Sequence, residues 1–352
     1  MKKRSRTAAR RRRAPPQLAR PGPASIPTLA DVARHAGVGL STVSRVLRNR
    51  GSFSTQVQQS VMAATQALNY MPNRIAGTLA SMTSDLVGII VPSVGNAAMP
   101  DVLAGALGIL EERGVQSIIG ATNFDPLQEE RLIDELLSWR PRGILLAGIE
   151  HTERVKNILK NSRTRVVELM DTDGAGIQAV VGFSHRQAGR KSAEHLLEKN
   201  YRRIGYVGHS ISTDLRAGKR LDGFRSALTD NGTALAAEEV GTRYNSSFEA
   251  GRNGLANLLN NGTKLDAVYF SSDNLAIGAY FYCLEKGISV PGDLALFGFN
   301  GLAISGLIPH PLSTIRSPRN LIGQTGARLL LEETPQVQVV DLGFELIEGS
   351  TS

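Results

Sequence analysis

Leu40, Ser41, Thr42, Ser44 and Arg45 lie almost side by side and offer the chemistry needed to read a DNA base pair. An arginine can give two parallel hydrogen bonds to a guanine edge, a serine can donate to or accept from either base type, and a leucine can pack on a thymine methyl. Arg45, Ser41 and Leu40 take those three roles, while Thr42 and Ser44 are assigned to phosphate oxygens. The plain alternative is that all five form the solvated face of a helix. Arg34 and Arg48 are either backbone contacts or surface charges.

Two short helices must hold these residues. Leu29, Val32, Ala33 and Ala36 recur at helical spacing, and Val43, Val46 and Leu47 repeat the pattern after Gly37. Each predicted helix therefore buries one face, with Gly37 supplying a turn that favours positive φ and Val38 filling the angle between them. The polar face of the second helix stays free and fits a major groove. Ser54 is a predicted N-cap for a third helix whose apolar face is Val57, Val61, Ala64 and Leu68. Beyond Tyr70-Met71-Pro72-Asn73, residues 74–81 read as one or two turns of helix, too short to form unless something holds them.

Charge follows the same division. Residues 1–25 carry nine basic side chains and no acid, and residues 26–74 carry five arginines against Asp31, so the remainder of this +8 chain is net negative by five charges. A basic head on a mildly acidic body points to a polyanion for the head alone. The tail itself reads equally as a DNA arm or as a disordered, solubilising start. Cys283, the single cysteine, sits in an apolar stretch and suits a buried thiol in a reducing cytosol. No apolar run is long enough to span a membrane and no signal-peptide core follows the basic start, so a cytoplasmic protein is expected.

From Leu86 onward apolar strands alternate with amphipathic helices. The segments 86–91, 117–121, 143–148 and 166–170 form one strand series, and 204–208, 267–271 and 294–299 a second, with helical patterns between them. The expected fold is an all-α helix-turn-helix domain plus an α/β body of two doubly wound parallel-sheet lobes. A ligand would bind between the lobes, beyond the carboxyl ends of the strands. The expected boundaries are a basic tail over 1–25, the reader over 26–72, a linker over 73–84 and the two-lobed body over 85–352.

The stretch Thr28 to Leu47 resembles the opening of the Lac repressor type of bacterial transcription regulators, a pattern like T-L-x-D-V-A-x-x-A-G-V-x-x-x-T-V-S-R-V-L, and Leu68 to Asn73 continues it. The resemblance implies a periplasmic-binding-protein-like effector body and a homodimer, with a tetramer left open. It also implies that paired heads and linker helices grip a near-palindromic operator. Asn73 enters as a DNA contact through that motif. Leu79 matches the leucine that wedges between base steps in the minor groove, where an apolar wedge trades unstacking for wider contact. Two departures stand out. Gly39 replaces a frequent serine at little cost to the cap, and Ala76-Gly77 replaces Ala-Arg, which costs roughly 1 kcal/mol of helix propensity and a phosphate-seeking charge.

For the effector, the matching positions are Asn96, Met99, Asp171, Arg220 and Asn300. Many relatives that bind sugars carry Asp where this chain has Asn300. A neutral side chain there beside Arg220 suits an anionic ligand. Asp273 opens a helix after a strand, so capping competes with ligand contact; His151 is either a pocket residue or a surface histidine. VVELMD (166–171), VGF (181–183) and DLGF (341–344) resemble the gluconate-utilisation repressors, which implies gluconate or a phosphorylated sugar acid as effector, against a neutral sugar or a nucleoside. In the implied mechanism, effector closure of the cleft unpairs the linker helices and releases the operator, although some relatives use the ligand as a corepressor.

Enzyme function finds no support, since the chain lacks the phosphate loop, the H-E-x-x-H pair and the G-x-S-x-G turn. No catalytic residue, metal or cofactor is expected. A transport-type sugar-binding protein shares the two-lobed body but needs a signal peptide.

Overall fold

The computed structural model describes residues 27–47, 51–71, 84–95, 97–162, 164–209, 213–241, 247–332 and 338–352. The chain forms two compact units, residues 1–80 and 81–352.

In the first unit α1 (Leu29–Ala36) begins with a capping box. The Thr28 side chain accepts from the Asp31 amide, and the Asp31 carboxylate accepts from the Thr28 backbone N–H at 2.9 Å. Gly37 ends it at φ 66°, the left-handed conformation expected of a C-cap glycine. Then come α2 (Leu40–Leu47) and α3 (Thr55–Ala67), whose N-cap is Ser54. Val32, Ala33, Val43, Val61 and Ala64 form the buried core, with Val38, Val46, Leu47, Leu68 and Tyr70 packed around it. The Ser60 hydroxyl, bonded to the Ala36 carbonyl at 3.0 Å, ties α3 to the end of α1. A core this small supplies only about 3–5 kcal/mol, so the cap and the turn matter to whether α2 is presented at all.

The second unit contains two six-stranded sheets among the described residues. The first, β1 (Leu86–Val91), β2 (Gln116–Ala121), β3 (Gly143–Ala147), β4 (Arg165–Leu169), β5 (Ala179–Gly182) and β11 (Val339–Asp341), is ordered β11-β5-β4-β3-β1-β2 and wholly parallel. The second, β6 (Ile204–His209), β7 (Ala237–Gly241), β8 (Ala267–Phe270), β9 (Ala295–Asn300), β10 (Ser313–Arg316) and β12 (Glu345–Ile347), is ordered β12-β10-β9-β8-β6-β7, with only β12 antiparallel. Near-continuous burial along β1, β3, β6, β8 and β9 explains why these strands read as apolar runs. The first lobe carries α4 (Met99–Glu112), α5 (Pro126–Ser138), α6 (Glu153–Asn161) and α11 (Arg319–Leu331); the second carries α7 (His185–Glu198), α8 (Leu215–Asp230), α9 (Ser247–Asn260) and α10 (Asp273–Lys286).

Chain order does not keep the lobes separate. The chain passes between them three times, after β5, after β10 and after β11. The first and third passages are packed together by aromatic rings: Phe183 lies 4.5 Å from the His185 ring and 6.2 Å from both Phe299 and Phe344, centroid to centroid. Helix packing in the second lobe is equally constrained. A Cβ on Gly189 of α7 would collide with the Arg220 carbonyl of α8, and one on Gly223 of α8 would collide with the Arg186 carbonyl of α7. The two glycines thus let the helices touch backbone to backbone, which fixes where Arg216, Lys219 and Arg220 project.

Candidate functional site

The reader's chemistry lies on α2. Leu40 is 53 % exposed, Ser41 and Arg45 are exposed, and Thr42 and Ser44 are half-buried. Val43, at the helix centre, is fully buried and anchors the opposite face. The Arg45 guanidinium carbon stands 5.2 Å from the centroid of the Phe53 ring, a cation–π contact that supports the side chain from below. The sequence reading missed Phe53, because only the turn at Gly51, φ 98°, folds it back under Arg45. Asn73, Leu79 and the linker glycine Gly77 lie outside the described residues, as do the basic tail and Asn96.

A cleft of about 110 Å³ opens in the second unit at the carboxyl ends of β1, β2 and β3, and the N-terminal turn of α8 closes it from the other lobe. Glu129, Glu150 and Thr152 line the first-lobe side, and Asp214, Leu215 and Arg216 the second-lobe side. Asp214 caps α8 by accepting from the Ala217 amide at 3.3 Å.

Behind the cleft lie two charged triads, one joining the walls and one within the first lobe. Lys219 of α8 bonds Asp171, just beyond β4, at 2.6 Å and also pairs with Glu150. Burial pulls the Lys219 pKa down, but the two carboxylates more than offset this and raise it. Burial also raises Asp171 against the pull of the ammonium. In the first lobe His151 lies between Glu129 at 2.6 Å and Glu168 at 3.3 Å, with its side chain only 1 % exposed. Burial opposes its protonation, yet the hydrogen bond to Glu129 and the negative charge of Glu168 outweigh it and lift the pKa to about 9. His151 is therefore an interior cation and not a surface histidine. Its neighbour Glu129 reaches the cleft.

Arg220 serves a different network. Its Nη1 meets His185 Nδ1 at 3.0 Å, its Nη2 donates to the Ser271 carbonyl at 3.2 Å, and its guanidinium carbon lies 3.9 Å from the Phe299 ring centroid. An arginine only donates, so His185 Nδ1 must accept; Nε2 must then carry the proton it gives to the Met170 carbonyl at 2.9 Å. Burial, with Arg220 and Arg216 nearby, drives the His185 pKa well below its usual value and keeps the ring neutral.

Several expectations change. Met99, 1 % exposed at the first residue of α4, is packed in the main core and is not a cleft contact. Asp273 is fully buried and does not cap α10. The cap is Ser272, while the Asp273 carboxylate accepts from the Leu302 amide at 2.7 Å, the Ser305 hydroxyl at 2.8 Å and the Thr314 hydroxyl at 2.6 Å. Asn300 sits at φ 121°, and its carbonyl accepts from Arg319, which also grips Asp101 of α4 at 2.8 Å and so links the lobes. Lys219, Glu150, Glu129 and Arg216 were missed. Their only sequence signal is position after a strand or in a first helical turn, which surface charges share.

Residues 28–73 match the family described as bacterial regulatory proteins, lacI family, and residues 193–352 match the periplasmic binding protein-like domain. The chain is 38 % identical over 326 residues to the HTH-type transcriptional regulator GntR of Pseudomonas aeruginosa, covering 91 % of this chain and 94 % of that one. It is similar to the crystal structure of a LacI family transcriptional regulator from Silicibacter pomeroyi, with TM-score 0.87, 39 % identity and coverage of 92 % and 98 %. The lac repressor dimer bound to operator and the anti-inducer ONPF matches with TM-score 0.79 at 26 % identity, again over 92 % and 98 %.

Proposed function

The chain belongs to the lacI family of bacterial regulatory proteins, a DNA-binding transcriptional regulator and not an enzyme, and on that premise we propose that it represses genes of sugar-acid catabolism and leaves its operator when a gluconate-type acid binds. The observation that carries this reading is the cleft at the strand ends. It is small and polar, and it is walled on one side by the arginine-bearing end of α8. Resemblance to the gluconate-utilisation repressors supports it. On the DNA side Arg45, Ser41 and Leu40 read bases and Thr42 and Ser44 hold phosphates, while Asn73 and Leu79 contribute from the linker.

Two copies would grip a near-palindromic operator. Phe281 on α10, Ile304 in the 3-10 turn Ala303–Gly306 and Leu307 just after it are apolar and exposed in the single chain, as an isologous contact requires. The coupling runs through side chains that span the lobes: Lys219 to Asp171 and Glu150, and Arg319 to Asp101 and the Asn300 carbonyl. An effector that binds one arrangement of the lobes more tightly than the other shifts their equilibrium, and equal affinity would shift nothing.

The test is calorimetry of the full chain with aldonates, phosphorylated aldonates, neutral sugars and nucleosides, with operator binding measured alongside. The reading expects an aldonate to bind and to weaken operator binding. Binding of a neutral sugar or nucleoside alone would replace the acid reading, and tightening of the operator complex would make the ligand a corepressor.

A further inference from the structure

The two walls of the cleft differ in charge. On the first-lobe side Glu129 shares His151 with Glu168, and Glu150 shares Lys219 with Asp171. Each triad sets two carboxylates against one cation, so that wall keeps net negative charge. On the α8 side stands Arg216, 8 % exposed and lining the cleft, whose Nη1 has no hydrogen-bond partner among the described residues. Its Nε forms an ion pair with the Asp214 carboxylate at 3.7 Å, a distance too long for a hydrogen bond. A buried guanidinium N–H left unpaired is costly, which suits an acceptor that arrives with the ligand. Arg220 spends both terminal nitrogens on His185 and Ser271 and its face on Phe299, and only its Nε is left without a partner among the described residues.

We propose that Arg216 is the residue that reads the acid group. The effector's carboxylate lies against Arg216 at the start of α8, and its hydroxyls lie toward Glu129 and Glu150 on the opposite wall. Arg220 then acts as a positioning residue for the passage between the lobes. This arrangement selects a monoanion, because a second anionic group at the far end of the ligand would meet the carboxylates. The inference rests on the acid reading of the effector site and sharpens it.

The experiment titrates gluconate, its 6-phosphate and sorbitol, the neutral polyol of the same chain length, into full-length protein and into Arg216→Gln and Arg216→Lys, with thermal unfolding confirming that each variant is folded. In the wild type gluconate should bind at least about tenfold more tightly than either sorbitol or the 6-phosphate; absence of sorbitol heat counts as that result. Arg216→Gln should weaken gluconate by about 30-fold, with Arg216→Lys intermediate and sorbitol changed less than about threefold. If Arg216→Gln does not fold, Arg216→Lys decides alone. Gluconate binding that survives both substitutions, an equal loss for gluconate and sorbitol, or a preference for the 6-phosphate overturns the assignment of Arg216 while leaving the acid reading intact. A wild type that binds no aldonate at all overturns the acid reading, and this inference with it.

Discussion

On α2 the candidate contacts come from consecutive turns of one helix, and they are exposed or half-buried, with Arg45 resting on Phe53. Around the cleft they come from separate loops and helix starts in two lobes, and most are buried and already engaged by another side chain. In the reader, residue type and helical position together set the role. In the cleft, role depends on what the side chain is bonded to, so an arginine can hold a histidine while another four residues away on the same helix keeps a terminal nitrogen without a partner among the described residues. Substitutions can break this contrast or sharpen it.

Asp273 gives the largest effect. It was a ligand candidate by position, yet it accepts three hydrogen bonds within its own lobe. Asp273→Ala leaves those donors unpaired and should cost roughly 3–5 kcal/mol of stability, read as a lower midpoint in denaturant titration. A variant of normal stability that loses effector binding would return Asp273 to the site.

His151 comes next and turns on pH. Its pKa in the folded protein is about 9 against an ordinary 6.5, so the stabilisation it provides is complete below pH 6.5 and is lost as pH rises through 9. The loss should be about 3 kcal/mol. His185 has the opposite sign: burial depresses its pKa, so its contribution is present above pH 6.5 and falls away in acid. Unfolding measured from pH 6 to 10 should show declining stability in the wild type and a flatter profile in His151→Gln. An unchanged profile would mean that Glu129 and Glu168 do not hold an imidazolium.

These cases show what could be read in advance. The periodicity of Leu29 to Leu47 and the apolar runs of β1, β3, β4, β6, β8 and β9 were legible, because burial on one helix face or on both strand faces leaves a local pattern. Strand β7, Ala-Glu-Glu-Val-Gly at a sheet edge, left none, being half exposed. The short strands β5, β10, β11 and β12 and the return of α11 to the first lobe were also invisible, since pairing over such distances has no local period. Asp171 was found where it had been placed, after β4, but its partner Lys219 was not. Nothing in the spacing of residues 171 and 219 announces a 2.6 Å contact.

Arg45 tests the reader's side of the contrast. Arg45→Ala should weaken operator binding by about 2 kcal/mol, roughly 30-fold, and relax discrimination at one base position. The unfolding midpoint should move little, because the side chain is exposed. Loss of stability matching the loss of binding would instead make the Phe53 contact structural.

Thr42 should give the smallest effect and the sharpest distinction. As a neutral phosphate contact it fixes register without reading sequence, so Thr42→Ala should cost about 1 kcal/mol on operator and unrelated DNA alike. The salt slope should stay as in the wild type, since no charge and hence no counterion release is removed. Titrations on both duplexes at two salt concentrations measure each quantity. If Thr42→Ala weakens the operator complex alone, Thr42 touches a base, and the division of α2 into reading and gripping residues has to be redrawn one position toward its C-terminus.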